Sequence, residues 1–301
     1  TASLTTMTRT NRGQAMIVDT LVIPPEKIAE VTNAASYTQS FNDSQRRTDP
    51  NSGVFTDRNP DAGYNVFWID PGSEYAKVNG EWRSSWITEP ANGQIPYNRS
   101  GSTAAGSRMA AARSIDNTGP EIPTLGDRCL VSFANQGGPP LNNAMYNNNI
   151  EIVQSPTHVM LNIEMNHDAR IIRLKQPGEE TQALPSSIQQ WFGDSIGWWE
   201  GDTLVVETRN LHPLQARGRI PLSADGKVIE RFKRVSDLEI DYQFEVHDLV
   251  NYTQVWKGQM PMRKSTEKVY EYACHEGNYA LPGILRGMNE GRDTALDQEG
   301  E

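Results

Sequence analysis

The sequence YNNNIEIVQSPTHVMLNIEMNHDARIIRL, from Tyr146 to Leu174, carries the clearest structural pattern in the chain. It divides into three short strands, Ile150–Gln154, His158–Glu164 and Ala169–Leu174, with turn sequences between them. In the second strand Val159, Leu161 and Ile163 alternate with polar or mixed residues, which is typical of a strand with one face turned to a core. The stretch therefore predicts antiparallel β structure, with titratable side chains on one strand face and at the turn that follows it.

Strand signals continue downstream at intervals of about ten residues. The further segments are 193–211 (GDSIGWWEGDTLVVETRNL, two strands), Lys227–Val235, Glu239–Asp248, Thr253–Lys264 and Val269–Cys274. This rhythm predicts a mainly β fold, an antiparallel meander that curls into an up-and-down, lipocalin-like barrel, because closure removes exposed sheet edges. A two-sheet sandwich is the alternative. Leu184–Phe192 is interpreted as a short helix, and Asn278–Gly287 as a helix at the end of the fold.

Composition divides the chain into three parts. Residues 1–60 have little periodicity and predict an extended, irregular N-terminal arm, with a short helix at Pro24–Ala35. Residues 61–288 form the β domain with its C-terminal helix, and residues 289–301 form an acidic tail. Within the β domain, Ser102–Arg113 has the composition of a helix.

The charge balance excludes one class of partner. The chain has a net charge of −10, whereas a nucleic-acid surface needs clustered Lys and Arg side chains. No apolar run approaches the roughly 18–20 residues that span a bilayer, so no transmembrane segment is predicted. We therefore expect a small-molecule or glycan ligand, or further copies of the same chain.

Of the five histidines, His167 and His275 are the candidates for chemistry. Glu164 precedes His167 by three residues, and Glu276 directly follows His275. A nearby carboxylate raises the imidazole pKa and fixes its tautomer, as a general base requires. Glu164, His167, His275 and Glu276 are therefore predicted to form one acid–base catalytic pocket. A divalent metal held by Glu164, His167 and His275 is the lesser possibility, and a salt-bridged strand turn is the structural alternative; no other cofactor is expected.

Four further residues are predicted to bind a ligand. Tyr64 and Trp68 belong to an aromatic-rich segment that is either core or a wall for a flat or sugar-like molecule. Arg170 has a guanidinium that could grip a carboxylate through two hydrogen bonds, although strand arginines are more often ion-pair partners. Asn278 offers an amide at the rim of the same pocket.

The chain has two cysteines, Cys129 and Cys274. In an oxidising compartment such a pair closes a long loop, and in a reducing one the two are separate buried thiols. Their spacing alone leaves both interpretations open.

Four motifs together resemble a large family of uncharacterised exported bacterial proteins, common in environmental Gram-negative genomes. They are YNNNIEIVQ, EMNHDARII, WWEGDTLVVET and YEYACHEGNYALPGILRG, and the likeness covers residues 64–287. The resemblance implies a periplasmic or extracellular location with a removed signal peptide, which would explain Thr1 as the first residue. It also supports a Cys129–Cys274 disulfide, but it implies no reaction.

Two function classes follow from these residues. The first is an exported acid–base enzyme, a hydrolase or lyase, that acts on a small polar or carbohydrate-like molecule. The second is a noncatalytic ligand-binding or self-assembling structural protein. A perturbed pocket carboxylate beside a histidine, or an open interior that reaches His167 and His275, favours the enzyme. A filled barrel with its edges paired to a neighbouring chain favours the assembly protein.

Overall fold

The computed structural model of the chain describes residues 2–4, 18, 20–34, 77–113, 121, 123–132, 136–143, 147–176, 178, 182–215, 220–266 and 268–287. Most of the predicted N-terminal arm, the acidic tail, Tyr64 and Trp68 lie outside these residues. The described part is mainly β, as predicted. Its strands are β1 (Ala2–Leu4), β2 (Lys77–Val78), β3 (Glu81–Trp82), β4 (Ile87–Glu89), β5 (Asn149–Gln154), β6 (His158–Ile163), β7 (Ala169–Leu174), β8 (Asp194–Glu200), β9 (Thr203–Arg209), β10 (Lys227–Arg234), β11 (Glu239–His247) and β12 (Trp256–Lys264).

Within the described residues, ten of these strands form one sheet, in the order β1-β5-β6-β7-β8-β9-β10-β11-β12-β4. The strands β5–β7 form one antiparallel meander, and β8–β12 form a second. Most connections within the two meanders are short turns, which is why sequential strands pair directly; the connection from β9 to β10, residues 210–226, is longer.

The junction between the two meanders corrects the prediction of a purely antiparallel sheet. β7 and β8 run parallel, with Ile172 opposite Ser195 and Leu174 opposite Gly197. A parallel pair needs a crossover connection, and residues 175–193 supply it. Leu184–Phe192 was predicted as a short helix, but its described residues form turns and a single bridge from Gln190 to Leu211.

The three-residue strand β1 has two partners. Ala2, Ser3 and Leu4 lie opposite Lys264, Arg263 and Met262 of β12. On its other side Ala2 lies opposite Ile150 and Ser3 opposite Asn149, both in β5. β1 therefore bridges the first long strand of the sheet and the last.

One face of the sheet is apolar and buried, because alternate residues of each strand point to the same side. On β6 these are Val159, Leu161 and Ile163, and on β11 they are Tyr242, Phe244 and Val246. Trp86 and Trp256 pack with Phe244, at ring-centroid distances of 5.5–6.0 Å. The alternation predicted for β6 is confirmed.

Helices lie outside this sheet. They are α1 (Ile28–Ala34), α2 (Arg99–Arg113), α3 (Cys274–Gly277) and α4, residues 280–287. The C-terminal helix is confirmed, but Val269–Cys274 is not a strand: its residues have no regular structure before α3 begins at Cys274. In the described part of the chain, no helix is long and apolar enough to cross a membrane.

Candidate functional site

Two charged residues lie on the apolar faces of their strands. Arg170 shares a face of β7 with Ile172 and Leu174, and Glu230 shares a face of β10 with Val228 and Phe232. Strand alternation turns both side chains into the core, where only 1% of Arg170 and none of Glu230 is exposed. Since an isolated charge is costly to bury, each needs the other as a partner.

The two residues anchor a buried polar group that we call the interior cluster: Arg170, Ser195, Thr208, Glu230 and Tyr242. The guanidinium donates through both terminal nitrogens to the two carboxylate oxygens of Glu230, one of them at 3.0 Å. It also donates to the Ser195 hydroxyl at 3.2 Å and to Thr208 at 2.9 Å. The Tyr242 hydroxyl donates to Glu230 at 2.8 Å. Each of the five consecutive strands β7–β11 thus contributes one side chain.

The loop formed by residues 136–143 covers the interior cluster. Residues 136–141 of this loop are all buried. The Leu141 amide donates to the Tyr242 hydroxyl at 2.8 Å, and the Gly137 carbonyl accepts a long contact of 3.5 Å from Arg170. A Cβ at Gly137 would lie 2.8 Å from the Phe192 ring, so a side chain there would force Phe192 to shift. The loop therefore occupies the space beside the cluster.

The electrostatics of the cluster follow from its burial and its ion pair. Burial by itself lowers the pKa of the Arg170 guanidinium, but the charge and hydrogen bonds of Glu230 more than offset this and raise it. Burial, together with the Glu230 charge, raises the pKa of the Tyr242 hydroxyl well above its usual value. Both groups keep their protons at neutral pH, which suits a fixed structural network more than proton transfer.

The sequence held a signal for this cluster that our prediction did not use. Alternation alone places a carboxylate between Val228 and Phe232 and a guanidinium beside Ile172, so two opposite charges are expected on core faces. What the sequence did not supply is the register that brings β7 and β10 together across two intervening strands. Arg170, predicted as a ligand-binding residue, has its guanidinium engaged with Glu230 and two hydroxyls.

The predicted catalytic turn lies at the end of β6, and its carboxylates have local partners. Glu164 is buried and accepts from the backbone and the side-chain amide of Asn149, at 3.2 and 2.8 Å. Asp168 is also buried; it accepts from the Ser132 amide at 2.8 Å and from the Asn166 side chain at 3.0 Å. Burial raises the pKa of the Asp168 carboxyl, and these hydrogen bonds oppose the rise.

His167 lies at the surface of this turn in the left-handed backbone region, with φ of 51°. Its Nε2 accepts a hydrogen bond from the Tyr272 backbone amide at 3.2 Å. The His167 side chain therefore contacts the segment that leads into α3.

The disulfide attaches that segment to the rest of the fold. Cys129 and Cys274 are bonded, with a Cα–Cα distance of 5.8 Å and a sequence separation of 145 residues. Asn278 donates to the Asp127 carbonyl at 2.6 Å and accepts from the Leu281 amide at 3.2 Å. The predicted disulfide is confirmed, and Asn278 acts as the cap at the start of α4.

His275 and Glu276 are exposed on α3. Among the described residues, no hydrogen bond or ion pair links the side chains of Glu164, His167, His275 and Glu276 to one another. The structure thus brings the His167 turn and the α3 segment together through Tyr272 and the disulfide. Nor does the described part of the chain hold a group of three or more His, Cys, Asp or Glu side chains that could bind a metal ion.

A cavity of about 240 Å³ lies at a different place, between β5, β11 and β12. Its apolar lining includes Ile152, Ile240 and Met262, and its charged lining includes Arg234 and Lys264. None of the predicted catalytic residues lines it.

No protein-family model matches the chain, and neither a curated protein nor a solved structure matches it at a significant score. The resemblance to exported bacterial proteins therefore stays a prediction, and the site must be judged on its geometry.

Proposed function

We propose that this chain is an exported, noncatalytic assembly protein. In this proposal a closed β-barrel is a rigid scaffold, and its surface binds further copies of the same chain. The observation that carries the proposal is the filled interior: the Arg170–Glu230 pair and the loop of residues 136–143 occupy the space where a barrel enzyme would hold its substrate.

The pairing of β1 with both β5 and β12 supports closure of the sheet. Counted over the described residues, β1 and β5–β12 then form a ring in which every strand has a neighbour on each side. A ring of about eight strands has an interior that side chains can just fill. The continuous buried core of the sheet agrees with this size.

The disulfide supports the exported location. Structural disulfides persist in oxidising compartments and are rare in the reducing cytosol. The Cys129–Cys274 bond joins the Thr124–Leu130 turn to α3, and Asn278 adds hydrogen bonds on the same side. Those contacts give the bond a structural role.

Exposed apolar side chains support binding of another protein. Leu249 and Val250, in the turn between β11 and β12, are 71% and 56% exposed. Leu238, in the turn between β10 and β11, is 66% exposed, and Tyr279 is 85% exposed. A lone exposed apolar residue is ordinary, whereas Leu249 and Val250 are adjacent and offer a small apolar surface to a partner.

Sedimentation velocity on the full chain, across a wide concentration series, tests the proposal. We expect the average mass to rise with concentration, and the His167→Ala and His275→Ala variants to associate equally well. A strictly monomeric chain at all concentrations would overturn the assembly function.

The acid–base enzyme is the second candidate, and one observation favours it. Asp168 is a buried carboxyl with a raised pKa directly beside the exposed His167. Against it, both oxygens of Asp168 already accept hydrogen bonds from the protein. A hydrolytic activity that His167→Ala lowers by about 100-fold or more, with the fold intact, would favour this candidate.

A further inference from the structure

Strand β1 lies in a groove between two strand edges. Its walls are β5 on one side and β12 on the other, and β1 runs antiparallel to both. Without β1 each wall would expose unpaired amide and carbonyl groups, which readily pair with another extended chain. A groove with two such walls is a specific receptor for one short strand.

We propose that a second copy of this chain fills the groove with its own Ala2–Leu4 strand. The two copies would thereby exchange β1, each completing the other's sheet. This inference rests on the proposed assembly function and names its mechanism. The occupant is a second copy because the segment that forms β1 is already complementary to the groove in sequence and register.

The chain length between β1 and the next described residue allows the exchange. Thirteen residues, 5–17, separate Leu4 from Val18. A segment of that length spans at most about 45 Å. A compact chain of 301 residues has a radius of gyration of about 19 Å, so the groove of a touching neighbour is within reach.

The energetics also allow the exchange. The contacts of β1 are the same whether the strand comes from its own chain or from a neighbour, so exchange loses no pairing. The pairing is short: β1 lies opposite three residues of β12 and opposite only Asn149 and Ile150 of β5. Replacing the strand by that of a neighbour therefore breaks and remakes few backbone hydrogen bonds.

Two single-cysteine variants of the full chain test the exchange directly. Ser3→Cys and Arg263→Cys lie opposite each other across β1 and β12, at a separation that suits a disulfide. The native cysteines are bonded to each other, so each variant adds one free thiol. The two variants are unfolded together with that bond intact, refolded as a mixture and oxidised with oxidised glutathione.

We expect a covalent heterodimer of Ser3→Cys and Arg263→Cys. The matched control pairs Ser3→Cys with Asp202→Cys, an exposed turn position between β8 and β9, and should give at most a small background. Ser3→Cys with Asn149→Cys repeats the test on the β5 side, in case the Arg263 variant folds poorly.

A second measurement separates the two proposals. Ser3→Pro removes an amide and disfavours strand pairing, so we expect it to weaken association, whereas Ser3→Thr should not. Association that persists in Ser3→Pro, with no heterodimer above the Asp202→Cys background, overturns strand exchange but leaves the assembly function standing. A chain that never associates overturns both.

Discussion

The interior cluster and the turn of residues 164–168 both hold carboxylates away from solvent, but they obtain their partners in different ways. At the turn, Glu164 and Asp168 accept from nearby backbone amides and from Asn149 and Asn166. In the interior, Glu230 depends on Arg170, which is 60 residues away in sequence. The partners at the turn lie 2 to 36 residues away in sequence, compared with 60 residues for the interior pair, so sequence proximity reveals more of the first site than of the second.

The comparison also separates two roles for ionisable groups. The interior cluster has no exposed member, and among the described residues its side chains bind one another and the covering loop, so it stabilises the fold. The turn presents His167 to solvent and contacts the α3 segment. If this distinction is correct, substitutions in the interior lower stability far more than substitutions at the surface.

The largest effect is expected from Glu230→Ala. It leaves the Arg170 charge buried without its partner, which costs about 3–5 kcal/mol in comparable buried pairs. Urea unfolding followed by circular dichroism measures the loss. The matched control is Glu207→Ala, which breaks partly exposed pairs with Arg209 and Lys227 and should cost about 0–1 kcal/mol. Equal losses of unfolding free energy in the two variants would contradict the claim that interior substitutions destabilise the chain more than surface ones.

Breaking the disulfide is expected to have the next largest effect. The Cys129→Ser/Cys274→Ser variant frees a loop with a sequence separation of 145 residues, and the loss of such a bond costs about 2–5 kcal/mol. Thermal unfolding of the variant, compared with the reduced wild-type chain, measures it. Reduced wild type and variant should agree; a variant as stable as the oxidised chain would show that the bond does not hold α3 in place.

Tyr242→Phe tests how much the hydrogen bonds of the Tyr242 hydroxyl stabilise the interior cluster. The hydroxyl links Glu230 to the Leu141 amide, so its removal leaves a buried amide without its acceptor and costs about 1–3 kcal/mol. The control is Tyr252→Phe, another buried tyrosine, whose hydroxyl donates to the Pro221 carbonyl at 2.7 Å. We expect Tyr252→Phe to lose less unfolding free energy than Tyr242→Phe in the same urea assay. The reverse order would contradict the stabilising role of the interior cluster.

The smallest effect is expected from Asp168, in the turn of residues 164–168, on how stability depends on pH. Burial raises the pKa of the Asp168 carboxyl above its usual 3.8, so the folded chain holds this proton more tightly than the unfolded chain. The raised pKa of Asp168 therefore adds to the free energy of unfolding below pH 3.8. This stabilisation is lost as the pH rises through the pKa of Asp168 in the folded chain. The stability of wild type relative to Asp168→Asn should fall across that window, as measured by urea unfolding at several pH values. A difference that grows with pH would contradict the assignment.

Much of the fold was accessible from the sequence, and the reasons are local. Alternation gave the bounds of β7 at Ala169–Leu174, and composition indicated α2 and the C-terminal helix. The prediction was wrong where pairing between distant strands determines the strand order of the sheet. The parallel β7–β8 pair and the double pairing of β1 join distant segments, and no turn sequence indicates either pairing.

The candidate site was less accessible for the same reason. His167 and Asp168 could be selected because they lie together in the sequence, but the role of Arg170 could not, since it depends on Glu230. Val269–Cys274 has the alternation of a strand, but the disulfide and the contact from Tyr272 to His167 hold it against the turn instead. Tertiary contacts override local propensity there.

Amide hydrogen exchange at Leu141 tests the filled interior most directly. Its N–H donates to Tyr242 inside the sheet, so in a sealed interior it exchanges only when the whole chain unfolds. We predict that its opening free energy equals the global unfolding free energy and falls in parallel with it in Glu230→Ala. Exchange within minutes in the native chain, with the global stability unchanged, would show that water enters the interior and would contradict the scaffold account.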